Sequence, residues 1–216
     1  GRMALNALLE AMDVGPGDEV ILPAYTCVVV PNAILYLGAK PIYVDIDPIT
    51  FNINPGLIEE KITDKTKVIL AQHTFGLACE LDAIMAIANK HNLLVVEDCA
   101  HAQGGTYNAM PLGSIGDAAF FSTDHTKITS TFLGGMATTN NGNIAQKLAD
   151  IHSSAGFLPQ KHQKQLLMSF LLEYFLTSKY TYWFGRLLIM VLARAKLLFF
   201  WRDEHMHTKS MNYPYP

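Results

Sequence analysis

Lys127 closes the run Phe120-Phe121-Ser122-Thr123-Asp124-His125-Thr126-Lys127, and a second apolar run with an acidic tip, Val95-Val96-Glu97-Asp98, stands a short distance before it. An amine nucleophile and a carboxylate delivered at the ends of neighbouring strands suit a pyridoxal phosphate site. The amine condenses with the cofactor aldehyde, and a carboxylate beside the pyridine nitrogen keeps it protonated, which makes the ring an electron sink. Other chemistries find less support. Cys27, Cys79 and Cys99 are too scattered for a disulfide framework, and no CxxC pair points to zinc, so no metal is expected and a reducing cytoplasm fits best. A formal net charge of -3, with 16% charged residues and no Lys/Arg cluster before residue 160, argues against a nucleic-acid surface.

The elements that must position these groups follow from periodicity. Half of the 216 residues are hydrophobic, ample for a continuous core. Met3, Ala4, Leu5, Leu8, Leu9 and Met12 recur at helical spacing until Gly15-Pro16-Gly17-Asp18 breaks the pattern. The strand Glu19-Val20-Ile21-Leu22-Pro23 follows, then a helix near 29 to 37 that stops at Gly38, then the strand Pro41-Ile42-Tyr43-Val44-Asp45. Lys67 to Ala71 reads as the next strand, Leu81 to Lys90 as a helix, and Leu93 to Glu97 as the strand after it. Ala118 to Ser122 and Gly135 to Thr139 read as two further strands flanking Lys127. Short apolar strands alternating with helices predict an α/β fold, a mostly parallel sheet with helices on both faces. Ligands in such sheets bind beyond the carboxyl ends of the strands, where Asp98 and the loop Gln72-His73-Thr74-Phe75-Gly76 both fall.

From about residue 161 the texture changes. Gln165 to Leu176 and Tyr180 to Phe200 are strongly apolar and helical in pattern, yet Glu173, Lys179, Arg186, Arg194 and Lys196 interrupt them, so no uncharged run approaches the roughly 20 residues of a membrane span. A helical layer packed on its own domain or on a partner subunit is the plainer reading. A weak contact of 165–201 with a membrane surface is the sharper one, because Trp183, Phe184, Phe199, Phe200 and Trp201 sit beside Arg and Lys. The last stretch, Met211 to Pro216, has no periodicity and reads as a loop. The chain opens on Gly1-Arg2-Met3 at a helix onset, without a signal peptide, and is expected to be a piece of a longer polypeptide.

Taken together, Gly17 to Thr26, Gly38 to Asp47, Glu97-Asp98-Cys99-Ala100-His101-Ala102, Gly113-Ser114-Ile115-Gly116-Asp117 and the span from Ser122 to Lys127 resemble the DegT/DnrJ/EryC1/StrS family of sugar aminotransferases. The resemblance covers roughly the first 150 residues. It implies the type I, aspartate-aminotransferase-like PLP-transferase fold, a homodimer with active sites at the subunit interface, and transfer of an amino group, mostly from glutamate, to a keto group on a nucleotide-linked sugar. It also implies a PLP-binding large domain over 1–155 that lacks its N-terminal edge, and an apolar helical segment over 156–216 leading to an absent C-terminal small domain.

Carried over by position, the resemblance makes Lys127 both the covalent anchor of pyridoxal 5'-phosphate and the general acid/base, where a lone lysine in a Thr-rich turn would ordinarily be a surface residue. It makes Asp98 the partner of the pyridinium nitrogen, where a strand-end Asp would otherwise cap a turn. His101, three residues on, stands where the family usually has a glutamine facing the cofactor ring. Ser122, five before Lys127, is the family's hydroxyl on the cofactor phosphate. The small Gly-Thr-Ala-type turn that opens a helix beneath that phosphate reads Gly1-Arg2-Met3-Ala4-Leu5 here, so Arg2 replaces a hydroxyl while the backbone donors at Arg2 and Met3 survive. Two further departures bear on substrate. Cys27 replaces the aromatic that usually stacks on the ring, with Tyr25 or His101 left to compensate, and Phe132-Leu133-Gly134-Gly135 keeps both glycines of a Gly-Glu-Gly-Gly loop without its acid.

The leading expectation is a PLP-dependent aminotransferase of amino-sugar and surface-polysaccharide biosynthesis. A PLP-dependent sugar dehydratase is the alternative within the family, against which Lys127 argues, since such relatives replace the lysine. A truncated, non-catalytic PLP-binding relative is the alternative from another class.

Overall fold

A computed structural model describes residues 1–176, 178–195 and 197–198. Residues 1–154 form one unit built on a six-stranded sheet of order β2-β1-β3-β4-β7-β8. Its parallel members are β1 (Glu19–Pro23), β2 (Lys40–Val44), β3 (Thr66–Gln72), β4 (Leu94–Asp98) and β7 (Ala118–Ser122). β8 (Gly135–Thr139) runs antiparallel to β7 along the edge. Strand side chains alternate between faces, and that alternation divides the core in two. Val20, Leu22, Val68, Leu70 and Val96 pack on one face with Leu5, Leu8 and Leu9 of α1 (Arg2–Ala11) and Val30, Ala33 and Ile34 of α2 (Val29–Leu35). Ile21, Ile69, Ala71 and Val95 pack on the other with Leu81, Ile84 and Ala88 of α3 (Leu81–His91). Each fully buried Leu or Ile contributes about 1.5–3 kcal/mol by leaving water, so both helical layers are needed to cover a sheet that is apolar on both sides.

A hairpin, a helix and three single-turn 3-10 helices (Pro55–Leu57, Glu59–Lys61 and Thr74–Gly76) escaped the sequence reading. The hairpin β5 (Thr106–Tyr107) and β6 (Met110–Pro111) turns through Asn108 and Ala109, both at positive φ, 49° and 64°. That is the mirror-image two-residue turn of tight hairpins, but alanine stands where the usual Asn-Gly signal has glycine. Helix α4 (Gly142–Ser154) buries only Ile144 fully, with Leu148 and Ile151 half-buried beside it. Its start is set by Asn141, whose side-chain oxygen accepts from the backbone N–H groups of Asn143 and Ile144. One boundary shift matters for the site. β4 runs through Asp98 rather than ending at Glu97, and Asp98 pairs in register with Gln72 and Phe120. Successive residues point to opposite faces, so Glu97 and Asp98 serve different sides of the sheet.

Glu97 is fully buried and organises the turn before β7. Its carboxylate accepts backbone N–H groups from Gly113, Ile115 and Gly116 at 2.7–2.8 Å, and lies 3.1 Å from His73 Nε2. The N–H of Cys79 points at His73 Nδ1, 3.2 Å away, so Nδ1 accepts and Nε2 carries the proton donated to Glu97. Burial pushes the Glu97 carboxyl up, but His73 and the three N–H groups outweigh it and hold the group below the usual range. Glu97→Ala strands those donors, so about 3 kcal/mol or more of stability should be lost, read from denaturant midpoints at neutral pH. A loss under about 1 kcal/mol would show that the network does not hold the turn.

The described residues from 155 to 198 belong to a second unit, an αα-hairpin of α5 (Gln160–Leu176) and α6 (Tyr182–Arg194). α5 begins five residues earlier than the apolar pattern predicted, and α6 begins two residues later and ends at Arg194. Phe199, Phe200 and the expected loop 211–216 lie outside the described residues. Among the described residues, no helix is long and apolar enough to cross a membrane.

Candidate active site

The carboxyl ends of β3, β4 and β7 bring most of the expected residues to one edge of the sheet. Asp98, the last residue of β4, is 5% exposed. Burial raises its carboxyl to about 6, opposed by the N–H of Ala100, which donates to Oδ1 at 2.9 Å, and by the charge of Lys127. An acid this buried and this sparsely hydrogen-bonded is held ready for a cation, such as a protonated ring nitrogen. Lys127 lies in the loop after β7. Its N–H donates to the Asp124 carbonyl at 2.9 Å, and the Asp124 side chain in turn accepts from the Thr126 N–H and hydroxyl. The base of that loop is closed by Thr123, whose N–H donates to Gly134 O and whose hydroxyl meets that of Thr131 at 2.7 Å.

Lys127 is electrostatically felt at both Asp98 and His101. At His101, burial first and the lysine charge second lower the imidazole below its ordinary value. The Lys127 charge thus acts on both Asp98 and His101, two of the residues expected at this edge. The His101 ring lies parallel to that of Phe75, 6.3 Å between centroids.

Ser122, at the end of β7, faces the start of α1. A Cβ placed on Gly1 would lie 2.9 Å from Ser122 Cβ, and the Gly1 nitrogen donates to Gly134 O at 2.8 Å. A Cβ on Gly135 would meet that nitrogen at 2.5 Å, so only glycine lets β8 pass beneath the helix onset. First-turn N–H groups lack intrahelical acceptors and carry the positive end of the helix dipole. With the Ser122 hydroxyl beside them they make an anion cradle, which Arg2 and Met3 border as the first two residues of α1. The donor set thus fits pyridoxal phosphate at each end: Asp98 for its ring nitrogen, Lys127 for its aldehyde, and Ser122 with the α1 onset for its phosphate.

Cys27 is exposed just before α2, beside a polar clasp. The Thr26 hydroxyl donates to Gln72 Oε1 at 2.5 Å, and Gln72 Nε2 donates to the Tyr25 carbonyl at 3.1 Å. Since Gln72 pairs in register with Asp98, the clasp sets the segment carrying Cys27 at the same sheet edge. The two residues expected to compensate for Cys27 join one ring cluster. Tyr25 packs with Phe51 and Phe75 at 5.6 and 6.1 Å, and His101 packs on Phe75. Phe51 and Phe75 both hold positive φ, 60° and 55°, a strained conformation for a bulky residue. Sequence reasoning missed this ring cluster, although Phe75 sits in the loop it had placed at the functional edge.

His73, Glu97 and Cys99 bring ligand-type atoms within 4.8 Å of one another. Glu97 is already committed to three N–H groups and His73, and burial drives the Cys99 thiol far up, so this trio is a hydrogen-bonded support and not an open ligand set.

Comparison with known proteins bears on the family and the fold. The chain matches the DegT/DnrJ/EryC1/StrS aminotransferase family over residues 1–174. It is 47% identical over 148 residues to the GDP-perosamine synthase of Caulobacter vibrioides, covering 68% of this chain and 40% of that protein. Over 149 residues it is 45% identical to the dTDP-3-amino-3,6-dideoxy-alpha-D-galactopyranose transaminase of Aneurinibacillus thermoaerophilus, covering 68% of this chain and 41% of the relative. Among solved structures, NtdA from Bacillus subtilis, with its cofactor PMP bound, superposes with a TM-score of 0.67 at 38% identity, over 72% of this chain and 35% of that one. The chain spans about 40% of the length of the curated relatives it matches. These likenesses place its sheet in the fold of PLP-dependent aminotransferases, as the sequence resemblance implied.

Proposed function

Because the chain belongs to the DegT/DnrJ/EryC1/StrS aminotransferase family, we propose that it is the cofactor-binding part of a PLP-dependent transaminase, which passes an amino group from glutamate to a keto group on a nucleotide-linked sugar. The observation that carries this reading is Asp98, a buried carboxylate at the end of a parallel strand, electrostatically coupled to Lys127. Residues 1–155 act as the large domain. Activity belongs to the longer polypeptide, completed by a small domain after 156–216 and by a second subunit in a cytoplasmic homodimer.

When bound, pyridoxal phosphate supplies an aldehyde that accepts amines and a ring that delocalises electrons. The chain's own groups supply the rest. Asp98 keeps a proton on the ring nitrogen by stabilising it as a cation. Lys127 would hold the cofactor through its aldehyde, and its amine would serve as general acid and base. Ser122 and the first turn of α1 would hold the phosphate, and His101 would border the ring. A dehydratase reading is weaker because Lys127 is present.

The test is amino transfer by the full-length protein from glutamate to nucleotide-linked keto sugars. Formation of the amino sugar with 2-oxoglutarate release is expected, whereas water loss without nitrogen transfer would move the protein to the dehydratases. Ser122→Ala should weaken cofactor affinity roughly 10- to 100-fold, the worth of one hydrogen bond to a charged group, in a fluorescence titration. An unchanged affinity would remove Ser122 from the phosphate site.

A further inference from the structure

We propose that the α5–α6 hairpin docks on an anionic lipid surface, lying in the interface without crossing it. Its two helices are closely packed on each other. Gly185 meets the Leu176 carbonyl so tightly that a Cβ would clash, and the Thr181 hydroxyl caps that carbonyl at 2.9 Å. What the hairpin leaves outward is apolar and aromatic. On α5 the exposed positions Leu167, Leu171, Tyr174 and Phe175 share one face at helical spacing, Tyr174 being 71% exposed. On α6 Trp183, 85% exposed, Leu187 and Met190 repeat that pattern. A row of this kind exceeds the scattered apolar exposure of an ordinary water-facing surface.

Charge selects the occupant. Between residues 155 and 195 the cations Lys161, Lys164, Lys179, Arg186 and Arg194 face a single acid, Glu173. Tyr180, Tyr182 and Trp183 gather at the turn between the helices, and the Lys179 ammonium stands 4.7 Å over the Tyr180 ring. Aromatic rings with a polar edge and long basic side chains are what the headgroup region accommodates, with rings at the acyl boundary and cations reaching anionic phosphates. A protein partner of this breadth would need a matching acidic and apolar surface. An anionic bilayer offers both to any such face. Among the described residues no helix is long and apolar enough to cross a bilayer, so the contact is with its surface.

This inference is independent of the transaminase reading and is tested without cofactor. The full-length protein carrying Trp201→Phe, with every tryptophan outside these 216 residues also changed to phenylalanine so that Trp183 alone emits, is mixed with vesicles of phosphatidylglycerol and phosphatidylcholine or of phosphatidylcholine alone. Co-sedimentation with the anionic vesicles and a blue shift of Trp183 emission, both reversed by salt, are expected. Trp183→Asp combined with Leu187→Asp should weaken partitioning at least about tenfold. Lys179→Glu with Arg186→Glu should do the same while leaving circular dichroism unchanged. Equal retention on neutral vesicles, or no retention at all, overturns the proposal. Trp183 emission already blue-shifted without vesicles, in a species whose mass is that of a dimer, overturns it in favour of a second copy covering the hairpin.

Discussion

Lys127→Ala is expected to leave a folded protein that no longer attaches pyridoxal phosphate covalently. Mixed with the cofactor and reduced with borohydride, the parent should gain a stable adduct on the peptide containing Lys127, and the variant none. Transamination should fall by about 10²–10⁴-fold or more, because the same amine serves as anchor and proton carrier. The fold should survive because the loop from Thr123 to Gly134 is closed through Thr123, Thr131 and Gly134 and not through the lysine side chain. Lys127→Arg keeps the charge near Asp98 but cannot form the covalent bond, so it separates electrostatic support from chemistry. An adduct that persists on another lysine in Lys127→Ala would show that the site has been assigned to the wrong loop.

The second large effect is a pH dependence of stability at Asp98. Its carboxyl ionises at about 6 in the fold against 3.8 when free. The folded state therefore holds the proton more tightly than the unfolded chain. Its contribution is fully present below pH 3.8 and is lost as pH rises through about 6, a difference on the order of 3 kcal/mol. In cofactor-free protein, Asp98→Asn should remove that loss, leaving the variant more stable than the parent at pH 7.5, still so by about 1 kcal/mol at pH 4.5, and nearly equal at pH 3 in urea unfolding. With pyridoxal phosphate the order should reverse, because only the carboxylate pairs with a protonated ring nitrogen. Equal pH profiles for parent and variant would mean that Asp98 is solvated in solution and holds no cation in reserve.

Both expectations start from residues that a one-dimensional reading already singles out, and their reliability follows from what local pattern encodes. Val20-Ile21-Leu22, Lys67 to Ala71 and Val95-Val96 are continuous apolar runs because a parallel sheet is buried on both faces, so their strands were legible without coordinates. The helix from Leu81 was legible for the same reason, its apolar positions recurring at 3.6-residue spacing. Where the local signal is weak, the reading stopped short. α4 carries mostly exposed residues and is held by Asn141 and by contact with the α1 layer, and the 106–111 hairpin turns through Asn-Ala without its usual glycine.

The sequence by itself determined the layered architecture and placed Asp98 and Lys127 at or just beyond strand ends, where the proposed chemistry needs them, because periodicity and strand-end placement are local properties of the chain. Only the tertiary structure decided which neighbours those residues have. Gly1 and Ser122 stand far apart along the chain yet nearly touch, His73 reaches Glu97 across two strands, and three N–H groups beyond residue 112 converge on one carboxylate. Such contacts depend on sheet order and register, set by the summed burial of both faces, and no short window of residues carries that information. The same holds for the strained Phe51 and Phe75, whose φ values are sustained by packing with Tyr25 and are invisible in their own sequence.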